Sequence, residues 1–117
     1  MNRDDRQRLR DMVGYSRDVV GFVEGATRET LDTDLKLVRA LAYSVGIIGE
    51  AASHISAEFQ ETAPQIPWRK AIGMRNFLFH GYFVINYDIL WETATVSIPA
   101  LLVELEKLMP PEGGEGE

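Results

Sequence analysis

Within eight consecutive residues, Arg75-Asn76-Phe77-Leu78-Phe79-His80-Gly81-Tyr82, the chain sets a permanent cation, a carboxamide, an imidazole and a phenol. A guanidinium is a planar fork that matches phosphate oxygens. An imidazole is the side chain whose ordinary pKa lets it give and take protons near neutrality. Those are the two parts that metal-independent RNA cleavage requires: a base to take the proton of the ribose 2'-OH, and a cation to meet the charge that builds on the phosphoryl oxygens. Spacing alone also fits a surface ion-pairing arginine and a histidine at a helix end. At about 100° per residue, positions five apart on a straight helix diverge by roughly 140°. Arg75 and His80 therefore meet only if the helix ends or bends near Gly81, or if they come together across a subunit interface.

The elements that must position this segment follow from apolar spacing. Leu9, Met12, Val13, Ser16, Val19, Val20 and Val23 recur at three and four residues, which predicts an amphipathic helix over 3–24. Asn2 is its N-cap, Asp4 and Asp5 suit the positive first turn, and Gly25 suits the stop. A second, longer helix is predicted from an Asp32 or Thr33 cap through Leu35, Leu41, Val45, Ile48, Ala52 and Phe59, ended by Pro64. Its middle is slim, with Gly46, Gly49 and Ala52, and carries one acid, Glu50, which either faces water or has a partner. A third helix is predicted from Pro67 through Trp68 and Ile72 to His80, broken by Gly81. Asn86 caps a fourth, carrying Leu90, Trp91, Ala94, Ile98, Leu101 and Leu105 and kinked one turn upstream of Pro99. With no sustained period-two alternation and no internal repeat, the fold class is all-α, an antiparallel bundle of four main helices.

The 117 residues make one domain, predicted over 1–109, with enough chain to bury a core unaided by disulfide or metal. There is no cysteine, which excludes a disulfide framework, a thiolate zinc site and a cysteine nucleophile. Glu50 and His54 alone do not make a metal site, and His54 reads as a surface or core histidine, so no metal and no cofactor is expected. No apolar run approaches a membrane span and the N-terminus is too acidic for a signal peptide, so a cytoplasmic protein without membrane association is expected. The net charge of −6 argues against indiscriminate nucleic-acid binding, yet its distribution is uneven. The tail 110–117 holds three acids and no apolar residue and is expected to be disordered. Between Glu61 and Asp88 there is no acid at all, while Arg69, Lys70, Arg75 and His80 fall there. An anion would be met in that window. Trp68, Phe77, Phe79 and Trp91 read as core or interface aromatics in preference to base-stacking platforms.

Arg75, four intervening residues, His80, one residue and Tyr82 resemble the R-x4-H-x-Y signature of HepT-like toxins in the HEPN superfamily. The resemblance extends to Ile48-Gly49-Glu50-Ala51-Ala52, to Ile66-Pro67-Trp68 and to Asp88 with Trp91, and covers essentially residues 3 to 109. It implies a HEPN-like helical domain acting as an endoribonuclease. Arg75 and His80 would be the catalytic pair, Asn76 the supporting polar residue, and Tyr82 the acceptor on which a partner nucleotidyltransferase antitoxin places AMP. Glu50 would be a possible cleft residue. It also implies a homodimer whose two motifs line one cleft, with RNA as substrate and no membrane partner. Gly46, where a larger residue is usual, and the acidic tail depart from the family pattern, and neither is expected to touch the motif. A non-catalytic nucleotide- or RNA-binding partner of a nucleotidyltransferase is the alternative, and a plain dimeric scaffold would leave the acid-free window unexplained.

Overall fold

The structure is a computed structural model that describes residues 1–80 and 84–109. The chain runs through helix α1 (Arg3–Phe22), a single turn α2 (Thr30–Thr33), the long α3 (Leu35–Ser53), and the short α4 (Ala57–Thr62) and α5 (Trp68–Gly73). A 3-10 turn (Met74–Phe77) leads to β1 (Phe79–His80), which pairs antiparallel with β2 (Val84–Ile85). Helix α6 (Tyr87–Glu92), a π turn (Thr93–Ser97) and α7 (Ile98–Leu108) complete the described chain. Helix α1 packs between α3 and α7, and α5 lies against α3, so the all-helical bundle expected from the periodicity is the architecture. Leu9, Met12, Leu41, Ile48, Leu90, Ile98 and Leu105, from four of these helices, are fully buried in one core. No helix among the described residues is long and apolar enough to cross a membrane.

The first helix starts as read: the Asn2 carboxamide accepts from the Asp5 N–H at 2.7 Å, and Gly25 takes a positive φ of 77° in the turn beyond its end. The second predicted helix is in fact two. It is capped by Asp34, whose carboxylate accepts from the Leu37 N–H at 3.0 Å, and neither Asp32 nor Thr33 serves as the cap. It stops at Ser53, because Ser56 is drawn out of the helical path by Asp5. The Asp5 carboxylate is 3% exposed and accepts from the Ser56 N–H at 2.8 Å and its hydroxyl at 2.6 Å. The same Ser56 oxygen accepts from the Phe59 N–H at 3.1 Å and caps α4. One buried carboxylate thus ties the start of α1 to the break between α3 and α4.

The third helix does not continue from Pro67 to His80: α-helical bonding ends at Gly73, a 3-10 turn follows, and the chain is extended by Phe79. The break expected at Gly81 therefore falls earlier, and Gly81 itself lies outside the described residues, as does the acidic tail 110–117. Pro99 acts one turn upstream as expected, and the disturbance takes the form of the π turn over Thr93–Ser97. A wider turn separates the proline ring from the carbonyl of residue 95, with which it would otherwise collide. Phe77 is 65% exposed and does not belong to the core.

Removing the Asp5 carboxylate leaves the Ser56 N–H and hydroxyl without their buried acceptor. Asp5→Ala is expected to lower stability by about 2 kcal/mol, whereas Asp4→Ala, on an exposed position, should change it by less than about 0.5 kcal/mol. Urea denaturation of the two variants checks this; equal effects would show that the clip does not hold α1 to α4.

Candidate active site

The motif is seated by the approach of α5 to the slim middle of α3. A Cβ built on Gly49 would lie 3.2 Å from the carbonyl oxygens of both Ala71 and Ile72, so the last turn of α5 rests directly on the backbone of α3. One turn earlier, a Cβ on Gly46 would lie 3.5 Å from Cδ and 3.7 Å from Nε of Arg75. The expectation that Gly46 has no contact with the motif is therefore corrected: the arginine stem crosses it. Gly49 likewise serves a contact within the protomer.

From that notch the guanidinium reaches over the Phe79 ring, with Cζ 5.3 Å from the ring centre. Such a contact is worth about 0.5–1 kcal/mol where water has access. It orients the fork and leaves its donors available, since Arg75 and the following Asn76 are both exposed. Phe79 is half-buried against the core, while Leu78 before it is completely buried. Burial of a leucine of this kind is worth about 2–5 kcal/mol against alanine, so Leu78 is the pin on which the turn into β1 is fixed. The Leu78 N–H donates to the Arg75 carbonyl at 3.1 Å, and the Leu78 carbonyl accepts from the Asn86 N–H.

His80 enters this frame through its backbone, which pairs with Val84 in the two-residue ladder as Phe79 pairs with Ile85. Its imidazole, and all of Gly81, Tyr82 and Phe83, lie outside the described residues. Because Arg75 stands on a 3-10 turn and His80 on an extended segment, the roughly 140° divergence expected of a straight helix does not arise, and that divergence no longer calls for a subunit interface.

The far side of the hairpin is held by residues that the motif alone does not reveal. Asn86 caps α6, its side chain accepting from the Ile89 N–H at 3.0 Å. Arg28 donates from Nε to Asp88 at 2.6 Å and from a terminal nitrogen to Asp32 at 3.1 Å, and its guanidinium lies 5.8 Å from the centre of the Tyr87 ring. Its pKa is raised above the ordinary value by the bond to Asp88 and then by that to Asp32. Exposed pairs of this kind contribute less than about 1 kcal/mol, so the cluster orients the first turn of α6 more than it stabilises the bundle. The spacing of Arg28 and Asp32 at i and i+4 was the available signal in the sequence.

Glu50 is exposed, one turn beyond Gly46 on α3, with its carboxylate 3.6 Å from His54 Nδ1. His54 ends α3, Nδ1 lying 2.9 Å from the Glu50 carbonyl, and so has a local structural role. Trp68 is buried, its indole N–H donating to the Ala63 carbonyl at 3.0 Å, and Trp91 is half-buried against the core.

The model of the "Ribonuclease HepT-like" family matches residues 3–108. The chain belongs to the HepT-like ribonuclease family. It is 31% identical over 115 residues to "Putative RNase MJ0127" of Methanocaldococcus jannaschii, covering 98% of this chain and 95% of that protein. Identity is 39% over 90 residues to "Putative RNase TTE0752" of Caldanaerobacter subterraneus, covering 77% and 80%. It is 34% over 112 residues to "Probable ribonuclease HepT" of Thermococcus cleftensis, covering 92% and 98%. No solved structure gives a significant match.

The glycine contacts of this HepT-like chain separate two substitutions that look alike. Gly14 on α1 is exposed and a Cβ there meets nothing within 4 Å, so Gly14→Ala should raise stability by about 0.5–1 kcal/mol through helix propensity. Gly49→Ala must push two backbone carbonyls of α5 and is expected to lower stability by about 1–2 kcal/mol, the range of overpacking. Chemical denaturation reads both, and stabilisation by both would refute the close seat of α5 on α3.

Proposed function

We propose that this chain is the toxin of a type VII toxin–antitoxin pair of the HEPN and minimal nucleotidyltransferase kind, and that it cleaves RNA without a metal. The observation that carries the reading is the seat of Arg75: an exposed guanidinium braced between Gly46 and Phe79, one residue before His80, in a chain of the HepT-like family. His80 takes the proton of the ribose 2'-OH and the 2'-oxygen bonds to phosphorus. The bond to the 5'-oxygen breaks and that oxygen takes up a proton. Arg75 holds the scissile phosphate through its planar fork, and Asn76, exposed beside it, supplies an amide to the same phosphate. The products carry a 2',3'-cyclic phosphate, or its hydrolysis product, and a 5'-hydroxyl.

The working unit is a homodimer in the cytoplasm, with Glu50 at the margin of the shared cleft. Tyr82 receives AMP from the cognate nucleotidyltransferase, and the added bulk and negative charge exclude the RNA phosphate.

Purified protein is expected to cleave RNA in the presence of EDTA. His80→Ala should lose about 10² to 10⁴ in rate while remaining folded, and Arg75→Lys should also fail because an ammonium does not reproduce the fork. RNA with 2'-deoxyribose at the cleavage position should resist. After co-expression with the nucleotidyltransferase, mass spectrometry should find AMP additions that disappear in Tyr82→Phe. Full activity of His80→Ala, or activity that EDTA abolishes and magnesium restores, would overturn the mechanism.

A further inference from the structure

The exposed face of α3 beside Arg75 carries groups that the catalytic pair does not use. Arg39, Tyr43 and Gly46 are spaced four and three residues apart and form one stripe along the helix. The stripe ends where Gly46 meets the Arg75 stem. By helical rise, Tyr43 lies about 4.5 Å and Arg39 about 10 Å along the axis from that contact. Tyr43 is 62% exposed, an unusual state for so large a ring, and its orientation is set by Tyr15 of α1, edge-on at 6.2 Å between centres and 61° between planes. Tyr15 is itself half-buried against the core, and its hydroxyl is raised in pKa chiefly by the neighbouring Tyr43 phenol. Arg39 is exposed and makes no hydrogen bond or ion pair among the described residues.

A braced ring with an open face, followed one turn on by an unpaired guanidinium, is what a single-stranded nucleotide requires: a platform for the base and a donor fork for a phosphate. We propose that Tyr43 and Arg39 form a nucleotide subsite that continues the Arg75 centre along α3. Tyr43 stacks on a base next to the scissile phosphate, and Arg39 holds a phosphate further along the strand. The subsite rests on the reading of the protein as a ribonuclease and adds to it a path for the substrate. It extends nucleic-acid contact to a helix outside the acid-free window between Glu61 and Asp88.

Binding of a fluorescein-labelled, fully 2'-O-methylated RNA dodecamer to the full-length protein, read by anisotropy, tests this together with kcat and KM on cleavable RNA. Loss of a stacked base typically weakens binding by about tenfold or more. Tyr43→Ala should raise Kd and KM by that factor with kcat within about twofold of the unmodified protein, and Tyr43→Phe should bind normally. Arg39→Ala should weaken binding and reduce the salt slope by about one. Light scattering should give all variants the same molar mass. Normal affinity in both alanine variants would overturn the subsite alone, as would a Tyr43→Ala defect accompanied by a change in molar mass, which would make this face a contact between copies of the chain. Absence of RNA binding and cleavage by the unmodified protein would instead overturn the ribonuclease reading, and the subsite with it.

Discussion

Contact between the backbone of α3 at Gly49 and the carbonyls that end α5 is the constraint from which the site follows. Any side chain at 49 would hold the two helices apart. Because they touch there, the 3-10 turn after α5 runs close beside α3, and the stem of Arg75 crosses the next glycine of that helix, Gly46. Glycine in a helix interior is unfavourable by roughly 1 kcal/mol, so two of them a turn apart in a 19-residue helix are a departure from helical preference that serves geometry. What is gained is a guanidinium whose stem is confined by packing and whose donors stay open to solvent.

The hairpin that follows is held from both ends by unlike means. On one side Leu78 contributes the larger energy through burial, while the phenyl ring of Phe79 aligns the arginine above it. On the other, the Asn86 cap and the bonds from Arg28 to Asp88 and Asp32 hold the first turn of α6. The two-residue ladder between them is too short for independent stability. It depends on these anchors, and the backbone of His80 is therefore positioned by residues more than fifty positions apart in sequence.

Much of this was legible in the chain and some was not, for identifiable reasons. Long amphipathic stretches state their period plainly, so α1 and the body of α3 agree with the pattern at nearly every apolar position. The break after Ser53 was hidden because Ile55 and Phe59 continue the helical period across it. Ser56 followed by Glu58 is an N-cap signature that apolar counting passes over, and its partner Asp5 is remote in sequence. The end of α5 was marked by Gly73, which the continuing pattern up to Gly81 passed over; from Met74 to His80 there is no further proline or glycine, and tertiary contacts of Leu78 and Asn86 decide the conformation. The signature residues themselves were readable by spacing. The relation of Gly46 to Arg75 was not, since a glycine in a sequence does not say which side chain will lie over it.

Whether the seat of Arg75 governs RNA cleavage is tested most directly by a size series at Gly46. A Cβ alone makes only ordinary contact with the arginine stem, so Gly46→Ala should fold with equal or greater stability and retain cleavage. A leucine needs the space that the stem occupies, so Gly46→Leu should keep the helical fold while losing at least about tenfold in cleavage rate, the scale set by misplacing a positioned group. Cleavage by a folded Gly46→Leu protein at the rate of the unmodified chain would contradict the account.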